Sequence, residues 1–335
     1  MFSLARITCT STYKATPAHL PLESNLAPSF VNIPRRGLGF KASGGRTNMS
    51  EKTANEEAAT DRRGPRKLKI LMLHGYTQSG PLFHAKTRAL EKLLTKSFPP
   101  PPRAPHKPLP GTLPSYPGGI QLIYPTAPIR LHPADIPGFD LSALQGDATE
   151  KEKEESDAWG WWKKDDSGVY VGLDEGLETI RKAIEETGGI DGVIGFSQGA
   201  SAAALVASLL EPDRESSFQS HSANHPSSFK YPPSWSKMRK ELPQAPLKFA
   251  VSYSGFYAPD EAYTAFYNPK IKTRFLHVIG SLDSVVEEER SLGLMERCED
   301  ATRVEYAGVL AGFLRDVLVR EGKEEEGVED MDVPF

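Results

Sequence analysis

The sequence predicts an α/β fold: a mostly parallel central sheet, helices on both faces, and a tight strand-to-helix elbow at the carboxyl edge. Three observations predict it. Short apolar runs alternate with helically spaced apolar residues along about 250 residues. Polar landmarks fall where the apolar runs end, as at His74-Gly75 and Ser281-Leu282-Asp283. Between the run Ile190–Ile194 and the small-residue helix Ala200–Leu210 stands Gly195-Phe196-Ser197-Gln198-Gly199, a match to G-x-S-x-G. At such an elbow the serine hydroxyl is pushed out above the sheet by a strained backbone. The flanking glycines have no Cβ, so strand and helix can approach closely. The N–H of Gln198 lies at the helix N-terminus, where it can receive an oxyanion. The alternative for these five residues is an ordinary turn with a capping serine.

The first strand is Leu68–Leu73, which runs into His74-Gly75-Tyr76-Thr77. A loop N–H from Tyr76 or Thr77 would face that of Gln198 across the site. Phe83, Leu90, Leu93 and Leu94 have helical spacing. Residues 98–119 are proline-rich and read as a surface insertion without core-forming residues. Ile120–Tyr124 is the next strand; the segment beyond it, with Ile129, is expected to border the substrate. Residues 146–157 read as a charged surface loop, and Ala158-Trp159-Gly160-Trp161-Trp162 as either core or the wall of an acyl pocket.

Asp174–Glu186 is amphipathic through Leu177, Ile180 and Ile184 and delivers the chain to the elbow strand. Residues 211–246 are polar and rich in serine and proline, and read as a second surface insertion, with His221 and His225 in solvent. Phe249–Ser254 is a strand ending at Gly255-Phe256. Arg274–Gly280 is another; His277 sits within it as a core residue, and Asp283 follows at the same rim as Ser197. A last strand over 303–306 and a last helix over Val309–Arg320 complete the domain, assigned to residues 67–320. The tail, 321–335, is acidic and expected to be disordered.

Residues 1–66 are expected to form a disordered extension. The first 50 hold six basic residues and one acid, so they read as a tail, as sequence ahead of a start at Met49, or as a transit peptide. The cytoplasm is the expected location, with the nucleus also open, or the mitochondrion if residues 1–48 are a transit peptide. A net charge of −4 gives no sign of a nucleic-acid surface. Cys9 and Cys298 cannot build a disulfide framework or a cysteine zinc site, and no His/Asp/Glu cluster has metal-ligand spacing. No glycine loop of phosphate-cradling type opens a helix, so no cofactor is expected. No apolar run approaches the roughly 20 residues that span a bilayer.

The order Ser197, Asp283, histidine would be that of the α/β-hydrolases. The chain resembles the fungal serine hydrolase family of that fold, relatives of a human ovarian-tumour-suppressor-candidate hydrolase and of the lovastatin-pathway thioesterase. The resemblance rests on Leu73–Ser79, Thr126-Ala127-Pro128, Pro133–Phe139 and Trp159-Gly160-Trp161-Trp162. It rests equally on the elbow, on Tyr253-Ser254-Gly255-Phe256 and on His277–Asp283. It implies hydrolysis of a small-molecule carboxylic ester or thioester, with Ser197 as nucleophile and Asp283 as the acidic member. Tyr76, Thr77 and Gln198 are the candidate oxyanion donors; His74, Ile129, Trp159, Trp161 and Phe256 are the candidate pocket residues. The family has a His-Pro-Gly-Gly-His-like segment after its last strand. Here Tyr306-Ala307-Gly308 runs directly into Val309-Leu310, and no histidine follows His277. No triad histidine is found, so two readings stand: an esterase or thioesterase working through an acyl-enzyme on Ser197, or a catalytically impaired protein of this fold that binds a ligand.

Overall fold

A computed structural model describes residues 64–101, 110–132, 135–136, 157–242, 244–280, 286–305 and 307–329. The strands of the main sheet are β1 (Leu68–Leu73), β2 (Ile120–Ile123), β7 (Gly192–Phe196), β8 (Phe249–Tyr253), β9 (Phe275–Val278) and β10 (Ala301–Val304). They lie in the order β10-β9-β8-β7-β1-β2, and each of these six strands pairs with its neighbour in parallel. Parallel neighbours need crossovers, which the helices supply. These are α1 (Gly80–Ser97), α2 (Leu173–Thr187), α3 (Gln198–Leu209), α4 (Arg214–Asn224), α5 (Pro233–Glu241), α6 (Glu288–Met295) and α7 (Leu310–Glu329).

Two-residue periodicity divides β1 between two cores. Leu71 and Leu73 join the core of α2 and α3; Ile70 and Met72 join that of α1 and α7. The sheet is thus covered on both faces, and α3 is buried along its whole length, which its small residues allow. Two short antiparallel pairs, β3 (Ile129–Arg130) with β4 (Trp159–Gly160) and β5 (Lys163–Lys164) with β6 (Tyr170–Val171), stand beside the main sheet. This is the α/β-hydrolase fold expected from the sequence. Among the described residues no helix is long and apolar enough to cross a membrane.

Three expectations need correction. Within 98–119, Phe98, Leu113 and Tyr116 are buried in the α1/α7 core, and the Tyr116 hydroxyl donates to Asp191 Oδ1 at 2.8 Å. Isolated anchors of this kind leave no periodic signal. Residues 211–246 are no surface insertion either: α4 and α5 carry Phe218, Trp235 and Met238 into the α2/α3 core. His221 is half-buried there, its ring stacked on His225 at 4.5 Å. In the acidic tail, α7 continues to Glu329.

A buried ion pair ties this region to the sheet. Arg214 and Glu211 are both buried and bonded to each other. Glu211 Oε1 also accepts the N–H groups of Lys272 (2.5 Å) and Thr273 (3.2 Å), while Arg214 donates to the carbonyls of Pro269 (2.5 Å) and Lys270 (3.3 Å). Each charge is thus compensated inside the protein, which a buried ion requires.

Candidate active site

Ser197 joins β7 to α3 with φ 51° and ψ −117°. A non-glycine residue at positive φ is strained, and such strain persists only where the surroundings enforce it. Here they do. A Cβ on Gly195 would lie 2.2 Å from the carbonyl oxygen of Gly199, and one on Gly199 would lie 2.2 Å from that of Leu73. The Ser197 N–H donates to the carbonyl of Tyr253 on β8 at 2.8 Å. The Ser197 side chain is half-buried and makes no capping bond to its own helix. The capping-serine alternative therefore fails; the serine that does cap a helix is Ser79, which accepts from Leu82 N–H at 3.3 Å.

Positive φ occurs at three non-glycine residues among those described: Thr77, Ser197 and Ser254. They follow β1, β7 and β8, three neighbours in the sheet, at its carboxyl edge. Strain is thereby concentrated around the elbow.

The two candidate donors in the loop after β1 differ. The Thr77 N–H donates to the Trp159 carbonyl at 2.9 Å, so it is already engaged. The Thr77 N–H is therefore not free to serve as the expected donor, whereas the Tyr76 N–H makes no backbone hydrogen bond of this kind among the described residues. The Gln198 side chain has a role that sequence spacing does not reveal. Its Oε1 accepts from Trp161 N–H at 2.9 Å, and its Nε2 donates to the Trp162 carbonyl at 2.8 Å. One amide thus bonds to two successive residues of the tryptophan segment and fixes it against the start of α3. Ser201, one turn into α3, accepts from Phe256 N–H at 3.0 Å and so anchors the loop after β8.

His74 and Trp161 are fully buried, which corrects their assignment to a pocket surface. The Ala127 N–H donates to His74 Nε2 at 3.0 Å, so Nδ1 carries the ring proton and donates to the Gly75 carbonyl at 2.8 Å. The Trp161 Nε1–H donates to the His74 carbonyl at 2.9 Å, and the rings lie 5.0 Å apart. His74 braces the loop, and neither ring nitrogen is available to Ser197. Trp159, Phe256 and Ile129 are half-buried at the rim. Asp283 lies outside the described residues. The last strand and helix are separated by Glu305, Tyr306 and the 3₁₀ turn Ala307–Val309.

His277 is buried mid-strand, its ring 4.7 Å from that of Phe275, and its Nε2 has no hydrogen-bond partner. Burial pushes both His74 and His277 down to about 4. The folded protein therefore takes up these protons less readily than the unfolded chain, whose histidines titrate near 6.5. The stability involved is fully present above about pH 6.5 and is lost as pH falls toward 4. His277→Leu is expected to flatten this acid limb by on the order of 3 kcal/mol across that window. Urea midpoints at pH 7 and pH 4.5 measure it; an unchanged pH slope would contradict the assignment.

The family described as Serine hydrolase (FSH1) matches residues 64–309. A protein named dihydrofolate reductase from Schizosaccharomyces pombe is 32% identical over 240 residues, covering 70% of this chain and 41% of that protein. The chain thus spans less than half of that relative's length. Esterase OVCA2 from Danio rerio is 28% identical over 252 residues, covering 72% of this chain and 88% of the esterase. Family of serine hydrolases 3 from Saccharomyces cerevisiae is 27% identical over 286 residues, covering 79% and 90%. With the family match running from the start of the described domain through the elbow to the 3₁₀ turn before α7, the chain belongs to the FSH1 family of serine hydrolases.

Proposed function

We propose that this hydrolase cleaves carboxylic esters or thioesters through an acyl-enzyme on Ser197, with Asp283 as the acidic member of its triad. The observation that carries the reading is the elbow: Ser197 at φ 51° between β7 and α3, its hydroxyl uncommitted to the helix cap. In the reaction Ser197 Oγ attacks the substrate carbonyl carbon, and its proton passes to a base. The carbonyl π electrons move to oxygen, which the N–H groups of Tyr76 and Gln198 receive, each such donor worth about 3 kcal/mol in the transition state. Collapse expels the alcohol or thiol; water then attacks the acyl-enzyme and releases the acid.

A second reading is favoured by the histidines. His74 has both ring nitrogens bonded to backbone, and His277 is buried. The chain as written would then keep the substrate site and lack the base, a ligand-binding descendant of a hydrolase. A fluorophosphonate probe separates the readings: fast labelling of Ser197 supports a working triad, and slow labelling supports the impaired form. Ser197→Ala is expected to abolish both labelling and any p-nitrophenyl butyrate hydrolysis. Retention of most turnover in that variant would remove Ser197 from the mechanism.

A further inference from the structure

The two loops beside the elbow carry a matched feature that ester chemistry alone does not require. In the sheet β7 lies between β1 and β8, so Ser197 is flanked by the loops that follow those strands. The β1 loop is fastened to Trp159 through the Thr77 N–H and an antiparallel bridge at Gln78. The guanidinium of Arg130, on β3, lies over the Trp159 ring at 5.9 Å. The β8 loop is fastened to α3 through Phe256 and Ser201, and the guanidinium of Arg290, on α6, lies over the Phe256 ring at 4.4 Å. Each flank of the elbow thus ends in an aromatic ring with an arginine on its face.

Neither arginine has a carboxylate partner among the described residues. Arg66, Arg181, Arg214, Arg274 and Arg303 all do. Asp157, bonded to the Trp159 indole, already accepts from Ser79 Oγ and Trp159 Nε1. Glu287 and Glu289, neighbours of Arg290 in sequence, are exposed and form no ion pair with it. A guanidinium stacked on an aromatic ring is held in orientation while its N–H groups stay open to an oxyanion. Two such groups, one on each flank of the elbow, offer guanidinium N–H groups to an anion in a chain whose net charge is −4.

We propose that the site selects an ester or thioester bearing a negative charge, carboxylate or phosphate, which Arg130 and Arg290 receive on either side of Ser197. This rests on Ser197 marking the substrate site. The charge belongs either to the acyl chain or to the leaving group, and two pairs of uncleavable probes distinguish these. One pair is suberic acid monoamide and the uncharged diamide, suberamide; the other is S-hexyl phosphopantetheine and S-hexyl pantetheine. Binding to the full chain is followed by tryptophan fluorescence and needs no turnover. In at least one pair the charged member is expected to bind about tenfold more tightly at low ionic strength, the ratio shrinking as salt is added. Arg130→Met and Arg290→Met should each reduce the ratio about threefold and the double variant should abolish it, while Arg290→Lys should retain part of it. Equal binding of charged and neutral members in both pairs, a preference that survives in the double variant, or no binding by any probe overturns the proposal. A charge preference that stands while Ser197 resists fluorophosphonate in a chain supplied with a histidine loop overturns the acyl-enzyme reading instead.

Discussion

Inserting a histidine-bearing loop between Tyr306 and Val309 is expected to raise turnover of p-nitrophenyl butyrate at least about 10⁴-fold over the chain as written. A serine hydroxyl is a weak nucleophile until a base within hydrogen-bond reach removes its proton. In the fold that base comes from the turn after the last strand, and here β10 ends at Val304 and the next turn starts at Ala307. Two residues, Glu305 and Tyr306, separate that turn from β10 in the sequence, and neither is a histidine. Triads without their base keep about 10³-fold over water from the oxyanion donors and binding alone, so the insertion restores roughly 5.5 kcal/mol of barrier lowering. Ser197→Ala in the inserted chain should return the rate to background. Rapid fluorophosphonate labelling of the unmodified chain would overturn this account and require a base elsewhere.

Glu211→Ala should be the most damaging single change to stability, at about 3 to 5 kcal/mol. It removes the carboxylate that neutralises Arg214 and leaves a guanidinium with no exposed side-chain surface facing only carbonyls. It also strips acceptors from the N–H groups of Lys272 and Thr273 at the entry to β9. In a domain of this size the loss lowers the melting temperature by about 6 to 20 °C. The double variant Glu211→Ala with Arg214→Met should recover part of the loss, since no buried charge then remains. A single variant within 1 kcal/mol of the parent, or a double variant weaker than the single, would show that the pair does not behave as a buried ion pair.

What the sequence made legible follows from what repeats. The alternation of apolar runs and helical spacing gave the parallel sheet, because a strand buried on both faces and a helix covering it leave opposite periodic signatures. The elbow was legible because its glycines are dictated by contacts under 3 Å that no other side chain tolerates. Core contacts made by single residues were not legible. Tyr116 follows prolines, and Trp235 sits among serines and lysines; neither stands in a periodic run. The site was legible as residue types rather than as bonds. Spacing brought Tyr76, Thr77 and Gln198 together, but which N–H remains open depends on a Trp159 carbonyl more than 80 residues away in sequence. The Gln198 amide to Trp161 and Trp162 could not be foreseen, since glutamine at that position serves equally as the donor backbone alone.

The supports of the elbow have a consequence at the level of the cell. Gly199 against Leu73, Ser197 against Tyr253, Gln198 against the two tryptophans and Ser201 against Phe256 all involve residues before position 257. None of them draws on the segment where the family carries its histidine. On the impaired reading proposed above, such a chain would lack its base while keeping every one of these supports. Chaperones and proteases sort proteins by the fraction unfolded, not by turnover, and would pass such a chain at full abundance. The lesion would be invisible to an expression measurement and visible only to a substrate.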